Sequence, residues 1–182
     1  MCDTILKIDL MDYDSSWSTI TRTSVRGIIK IDDKLLLNYD PKNDYYSFPG
    51  GGSKANESDI DTLEREILEE TGYKIKRDTA KLYGETLLIK TDEPLSESKY
   101  VGRSIYYMVE VEEQHGEPSL TRAEKHRHME FHLVDLITPI RKNCKSLERL
   151  RKVRATIGRR QVLFLERETA VLKKLLKENY IP

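Results

Sequence analysis

Glu66, Glu69 and Glu70 stand at positions i, i+3 and i+4 of one continuous acidic stretch. On a helix that spacing sets three carboxylates on one face, within reach of one another. Unaccompanied they repel, so a positive counter-charge is expected, and hard divalent cations take oxygen ligands. Mg²⁺ keeps several waters and bridges a few carboxylates to substrate phosphates. Gly50, Gly51 and Gly52 precede the stretch. Glycines permit positive φ and close approach of the main chain, so a backbone carbonyl can join the oxygen set.

These carboxylates need a rigid element beneath them. Residues 59–71 carry helical periodicity, with Ile60, Leu63, Ile67 and Leu68 toward one side. Ser58 is placed to cap the helix, Asp59 and Asp61 favour its first turn, and Gly72 is placed to end it. Upstream, residues 23–37 read as two strands about the turn Asp32-Asp33, with Ile28, Ile29 and Leu35, Leu36, Leu37 buried. Residues 38–53, rich in Asn, Asp, Pro and Gly, read as loop. Residues 82–89, 103–112 and 131–134 read as strands. Two polar loops, 91–100 and 114–128, separate them, the second long enough to suggest a function. Residues 140–155 and 164–179 are predicted helices, the latter amphipathic through Leu165, Thr169, Leu172 and Leu176. Strands around one central helix, followed by terminal helices, predict an α/β layered fold.

The 182 residues suffice for one domain with an elaboration. Charged residues at 34% and hydrophobic ones at 38% suit a globular chain, and no window is apolar for the ~20 residues of a membrane span. Asp3, Asp9, Asp12 and Asp14 give the N-terminus no basic region of a secretory signal. Cys2 and Cys144 form neither a disulfide framework nor a metal cluster, and a reducing, cytoplasmic setting is expected. The net charge of zero hides a polarity. Residues 1–140 hold 18 basic and 27 acidic side chains, while residues 141–160 hold nine basic side chains against Glu148. A basic segment on an acidic body invites an anionic partner or packs beside acidic surface.

Gly51, five residues, Glu57, seven residues, then Arg65-Glu66-Ile67-Leu68-Glu69-Glu70-Thr71-Gly72-Tyr73 resembles the Nudix box of the Nudix hydrolase family, G-x5-E-x7-R-E-U-x-E-E-x-G-U with U bulky and aliphatic. All seven fixed Gly, Glu and Arg positions match in register. Tyr73 departs from the aliphatic, and Asn56 stands where many members have glycine. The resemblance implies an α/β/α sandwich with a mixed sheet over residues 1–138, residues 1–20 being an N-terminal segment, and a C-terminal helical extension over 139–182 packed on the same domain.

It further implies that Glu66, Glu69 and Glu70 bind Mg²⁺ or Mn²⁺, with the Gly51 carbonyl as a further ligand and Glu66 suited to activating water. Glu57 pairs with Arg65 to orient the helix, and Gly72 closes it. A general base is supplied by some members from a later loop. Here that loop is 114–130, where Glu124 is the favoured candidate ahead of Glu117 and Glu130. Arg26 is expected to hold substrate, with Arg103 and Arg22 behind it. The reaction implied is hydrolysis of the diphosphate linkage in a nucleoside diphosphate joined to a moiety X. The partner is then a nucleotide-type small molecule, with no membrane and no nucleic acid, and a homodimer is common in the family.

The alternative is a non-catalytic, Nudix-like module that binds nucleotide or RNA, kept open by the basic segment. His126, His128 and His132 cluster without the fuller ligand set of a zinc site. Tyr45, Tyr46 and Phe48 either stack on a base or pack the glycine loop. Tyr13 and Trp17 lie in the polar N-terminal stretch, which packs on the core or on a partner subunit.

Overall fold

The computed structural model describes residues 3–92, 97–119, 129–152 and 156–181. Among the described residues eleven strands and three α-helices form a mixed α/β fold. The strands are β1 (Thr4–Asp9), β2 (Ser18–Ile28), β3 (Lys30–Ile31), β4 (Lys34–Asp40), β5 (Tyr45–Ser47), β6 (Gly50–Gly52), β7 (Tyr73–Ile75), β8 (Lys81–Thr91), β9 (Ser98–Met108), β10 (Val111–His115) and β11 (Glu130–Val134). The helices are α1 (Asp59–Thr71), α2 (Ile137–Arg151) and α3 (Thr156–Lys177).

The main sheet has the order β1-β8-β9-β2-β6. It is mixed: β1 runs parallel to β8 and β2 parallel to β9, while β8–β9 and β2–β6 are antiparallel. A smaller sheet, β11-β4-β3, carries β5 on β4. Both faces of the strand layer are covered, which explains the uninterrupted run Leu35-Leu36-Leu37. Leu35 and Leu37 join Ile28, Phe48, Tyr106 and the α3 residues Val171, Leu172 and Leu175 in one core. Leu36 joins Val25, Ile29 and the α1 residues Leu63 and Ile67 in the other.

Helix α1 starts and stops as its sequence dictates. The Ser58 side chain accepts the Asp61 N–H, and Gly72 takes the left-handed conformation at φ 76° while its N–H bonds Leu68 O. Leu68, predicted on the apolar side, is 40% exposed.

Several predicted boundaries are corrected. Residues 38–53 are not one loop: β4 runs to Asp40, and two three-residue strands, β5 and β6, pair with β4 and β2. The predicted strand 103–112 begins earlier and breaks after Met108, beyond which β10 pairs with β7. The polar N-terminal stretch contains β1, an edge strand on β8. The terminal helices begin before their predicted starts. Pro139 sits in the first turn of α2, where its missing N–H costs no helical bond.

Candidate active site

The glycine turn and α1 meet through direct bonds. Gly50, at φ 133°, donates its N–H to Glu70 Oε2 at 2.7 Å. Asn38 Nδ2 donates to the same oxygen at 2.7 Å, holding this buried carboxylate on the end of β4. At Gly51 the Glu66 carboxylate fills the space a Cβ would need. Gly51 therefore sits face to face with Glu66, the approach its sequence position implied. Arg26 reaches round from β2, its Nη1 donating to Phe48 O at 3.0 Å and Gly50 O at 2.7 Å.

A second network centres on Arg65. Its Nε and Nη2 contact the two Glu57 oxygens at 2.7 and 2.8 Å in a bidentate pair. Its Nη1 lies 2.5 Å from Glu66 Oε1 and 3.7 Å from Glu69 Oε2, and Nη2 donates to Gly52 O at 3.1 Å. The Arg65 hydrogen bond, then the Lys54 N–H, holds the Glu57 carboxyl down at about 2. The same Glu57 bond raises Arg65 above its usual range. One guanidinium thus ties Glu57, the glycine turn and two of the three clustered glutamates together.

Glu66, Glu69, Glu70, Gly51, Arg65 and Lys54 line a cavity of about 460 Å³, whose other walls include Arg26, Tyr45 and Phe164. Its donors are hard oxygens from three carboxylates and a facing glycine turn. That set matches a hard divalent cation that retains waters. Among the described residues no three His, Cys, Asp or Glu side chains converge on one point. The ligand chemistry and the close Gly51–Glu66 apposition fit a cation of this kind.

The remaining predicted residues are dispersed. Arg103 pairs with Glu85 and does not line this cavity. Arg22 is exposed on β2. Glu124, His126 and His128 lie outside the described residues, as does Cys2. The loop leading to Glu124 starts on α1: Gly116 N–H bonds Gly72 O at 2.9 Å and Ser119 N–H bonds Glu69 O at 2.7 Å. Glu117 is exposed in that segment. Glu130 opens β11 and contacts His132 Nε2 at 2.8 Å. His132 stacks on Tyr39, with ring centroids 5.0 Å apart. Tyr46 and Phe48 are core residues, whereas Tyr45 lines the cavity 5.6 Å from the Phe164 ring. Several cations of 141–160 are engaged internally: Lys142 with Asp44, Arg149 with Asn43 O, and Arg151 with Glu166.

Three supporting residues escaped the sequence reading. Asn38 holds Glu70. Asn143 of α2 accepts Tyr46 N–H at 2.8 Å and donates to Tyr46 O at 2.9 Å. Glu168 of α3, wholly buried, accepts Phe48 N–H at 2.8 Å. A signal existed for Glu168, since it occupies the apolar stripe of Leu165, Leu172 and Leu175.

The NUDIX domain model matches residues 21–152. Among solved structures, a NUDIX hydrolase from Nitrosomonas europaea is 19% identical over 79% of this chain and 86% of its own, with a TM-score of 0.49. The mMutator MutT protein from Bacillus halodurans is 22% identical over 66% and 72%, with a TM-score of 0.45. MutT NUDIX hydrolase from Burkholderia pseudomallei is 20% identical over 65% and 85%, at 0.45. No curated protein sequence matches. With nearly three quarters of its length matched, this chain belongs to the Nudix family.

Proposed function

We propose that the chain is a Mg²⁺- or Mn²⁺-dependent hydrolase of nucleoside diphosphates linked to a second moiety X. One observation carries this reading: Glu66, Glu69 and Glu70 line a single cavity in which Gly51 is pressed against Glu66. Glu66, Glu69, Glu70 and the Gly51 carbonyl would hold the metal. When bound, the cation supplies charge neutralisation of the diphosphate and a more acidic water.

The protein's own groups do the rest. Asn38 and the Gly50 N–H fix the orientation of Glu70. Arg65 restrains Glu66 and Glu69 and, through Glu57, the turn before α1. Glu66, or Glu124 from the later loop, takes the proton of the attacking water. Arg26, at the rim of the same cavity, faces the substrate phosphates. Arg103, the second candidate for holding substrate, pairs instead with Glu85 and lies off this cavity.

The test is hydrolysis of a panel of ADP-ribose, nucleotide sugars, dinucleoside polyphosphates, nucleoside triphosphates and oxidised deoxynucleotides, with Mg²⁺, Mn²⁺ or EDTA. Metal-dependent cleavage of one class supports the reading. Silence across the panel, with nucleotide still bound, would move it to the non-catalytic module. The internal pairing of Lys142, Arg149 and Arg151 argues against an RNA-facing version. A homodimer is proposed on the family resemblance alone, and a monomer in analytical ultracentrifugation would dismiss it.

A further inference from the structure

Between α3 and the main sheet lies a second cavity of about 280 Å³. It shares Arg26, Gly52 and Phe164 with the carboxylate cavity, so one ligand can reach both. Strand alternation decides which side chains enter it. Ser24 Oγ lies 2.9 Å from Ser104 Oγ, and Arg167 of α3 donates to Ser104 Oγ at 2.9 Å. The even-numbered residues of β2 therefore face α3, which sends Arg22 and Arg26 to this side. Tyr107 of β9 bonds Asp59 of α1, so the odd-numbered side chains of β9 face the other way. Arg103, although part of the wall, turns its guanidinium to that opposite face and Glu85.

Four guanidinium side chains thus border the cavity: Arg22, Arg26, Arg160 and Arg167. Among the described residues no carboxylate lines it. Glu168 answers Arg167 from behind, and Arg26 is held by two carbonyls while its buried Nε has no hydrogen-bond partner among the described residues. Arg22 and Arg160 sit at the exposed end, with Leu88, Leu163 and Tyr100 as an apolar floor. The planar fork of arginine matches phosphate oxygens. The carboxylate cavity next door sets three glutamates against Arg65, Lys54 and Arg26, so the second cavity is the more positive of the two along one continuous ligand path.

We propose that this cavity is a subsite for a second, separate phosphate, so that the enzyme prefers diphosphate substrates whose nucleoside or X part carries an additional phosphate group. The proposal rests on the hydrolase reading for which bond is cut, and adds which compounds are chosen.

Its test uses the full chain with Mg²⁺, on probes that carry no diphosphate bond and are not turned over. Calorimetry compares adenosine and uridine 3′,5′- and 2′,5′-bisphosphates with the matching 5′-monophosphates. At least one bisphosphate should bind about tenfold more tightly than its monophosphate. The double variant Arg22→Gln/Arg160→Gln should bring that ratio close to one, while its thermal unfolding stays that of the wild type. A ratio near one in the wild type, a failure to bind any probe, or a ratio retained in the double variant overturns the proposal. The hydrolase reading falls separately, on a silent substrate panel.

Discussion

The carboxylate of Glu168 accepts the main-chain N–H of Phe48 at 2.8 Å, across 120 residues of chain. It also takes Tyr106 OH at 3.2 Å and Arg167 Nε at 2.9 Å. The last helix thus fixes the residue two before the first glycine of the turn that faces the clustered glutamates. Helix α3 is part of the apparatus that shapes this turn, and its Val171, Leu172 and Leu175 complete the core beneath it.

Removing this carboxylate should be severe. Glu168→Ala leaves Phe48 N–H and Arg167 without their buried acceptor, and a loss of about 3–5 kcal/mol is expected. Glu168→Gln keeps an acceptor oxygen and should cost less. Urea unfolding of both variants checks this, and an alanine variant within about 1 kcal/mol of wild type would contradict it.

Gly51→Ala should separate activity from stability. Gly51 does not need a left-handed backbone, so alanine is tolerated conformationally. The added methyl displaces the Glu66 carboxylate instead. Turnover should fall about 100-fold, since a displacement of ~1 Å at a reacting centre has that effect. Steady-state kinetics beside thermal unfolding would show it, and wild-type turnover would refute the Gly51–Glu66 apposition.

Helix α1 was legible because its signals are local: the Ser58 cap, the spacing of Leu63 and Ile67, and Gly72 at the end. The box glutamates could be placed on one face for the same reason. Strands β5 and β6 were not legible. Each has three residues: β6 exists only through a partner far along the chain, as in Val25 with Gly51, while β5 folds back on the end of β4 across residues 41–44, whose turn composition hid it. Strand β1 was obscured because Lys7 and Asp9 interrupt the apolar residues Ile5, Leu6 and Ile8 on a half-exposed edge strand. The partners of Glu70 were hidden likewise, since Asn38 precedes it by 32 residues and reaches it only through the fold.

Asn38→Ala tests that contact. The amide orients one oxygen of Glu70, and loss of such a supporting bond typically lowers metal affinity about 10–100-fold. Mn²⁺ titration followed by electron paramagnetic resonance is the measurement. Unchanged affinity would mean that Asn38 serves stability alone.

Acid should expose the Glu57–Arg65 pair. The Glu57 carboxyl titrates at about 2 in the fold against its usual 4.5. A depressed carboxyl contributes stability that is fully present above pH 4.5 and is lost as the pH falls toward 2. Glu57→Gln should therefore flatten part of the decline in stability over that interval and leave the slope above it unchanged. Urea midpoints across the pH series decide it, and identical slopes would show that the pair is uncoupled from folding.

The most direct measurement is metal-dependent turnover of the preferred panel substrate by Glu66→Gln/Glu69→Gln/Glu70→Gln beside wild type. The triple variant keeps the shape of the α1 face and removes its charge. The structure leads to turnover that rises with Mg²⁺ in the wild type and is lost in the variant, both remaining folded by circular dichroism. Wild-type turnover in the variant would contradict the assignment of catalysis to the cavity between α1 and the glycine turn.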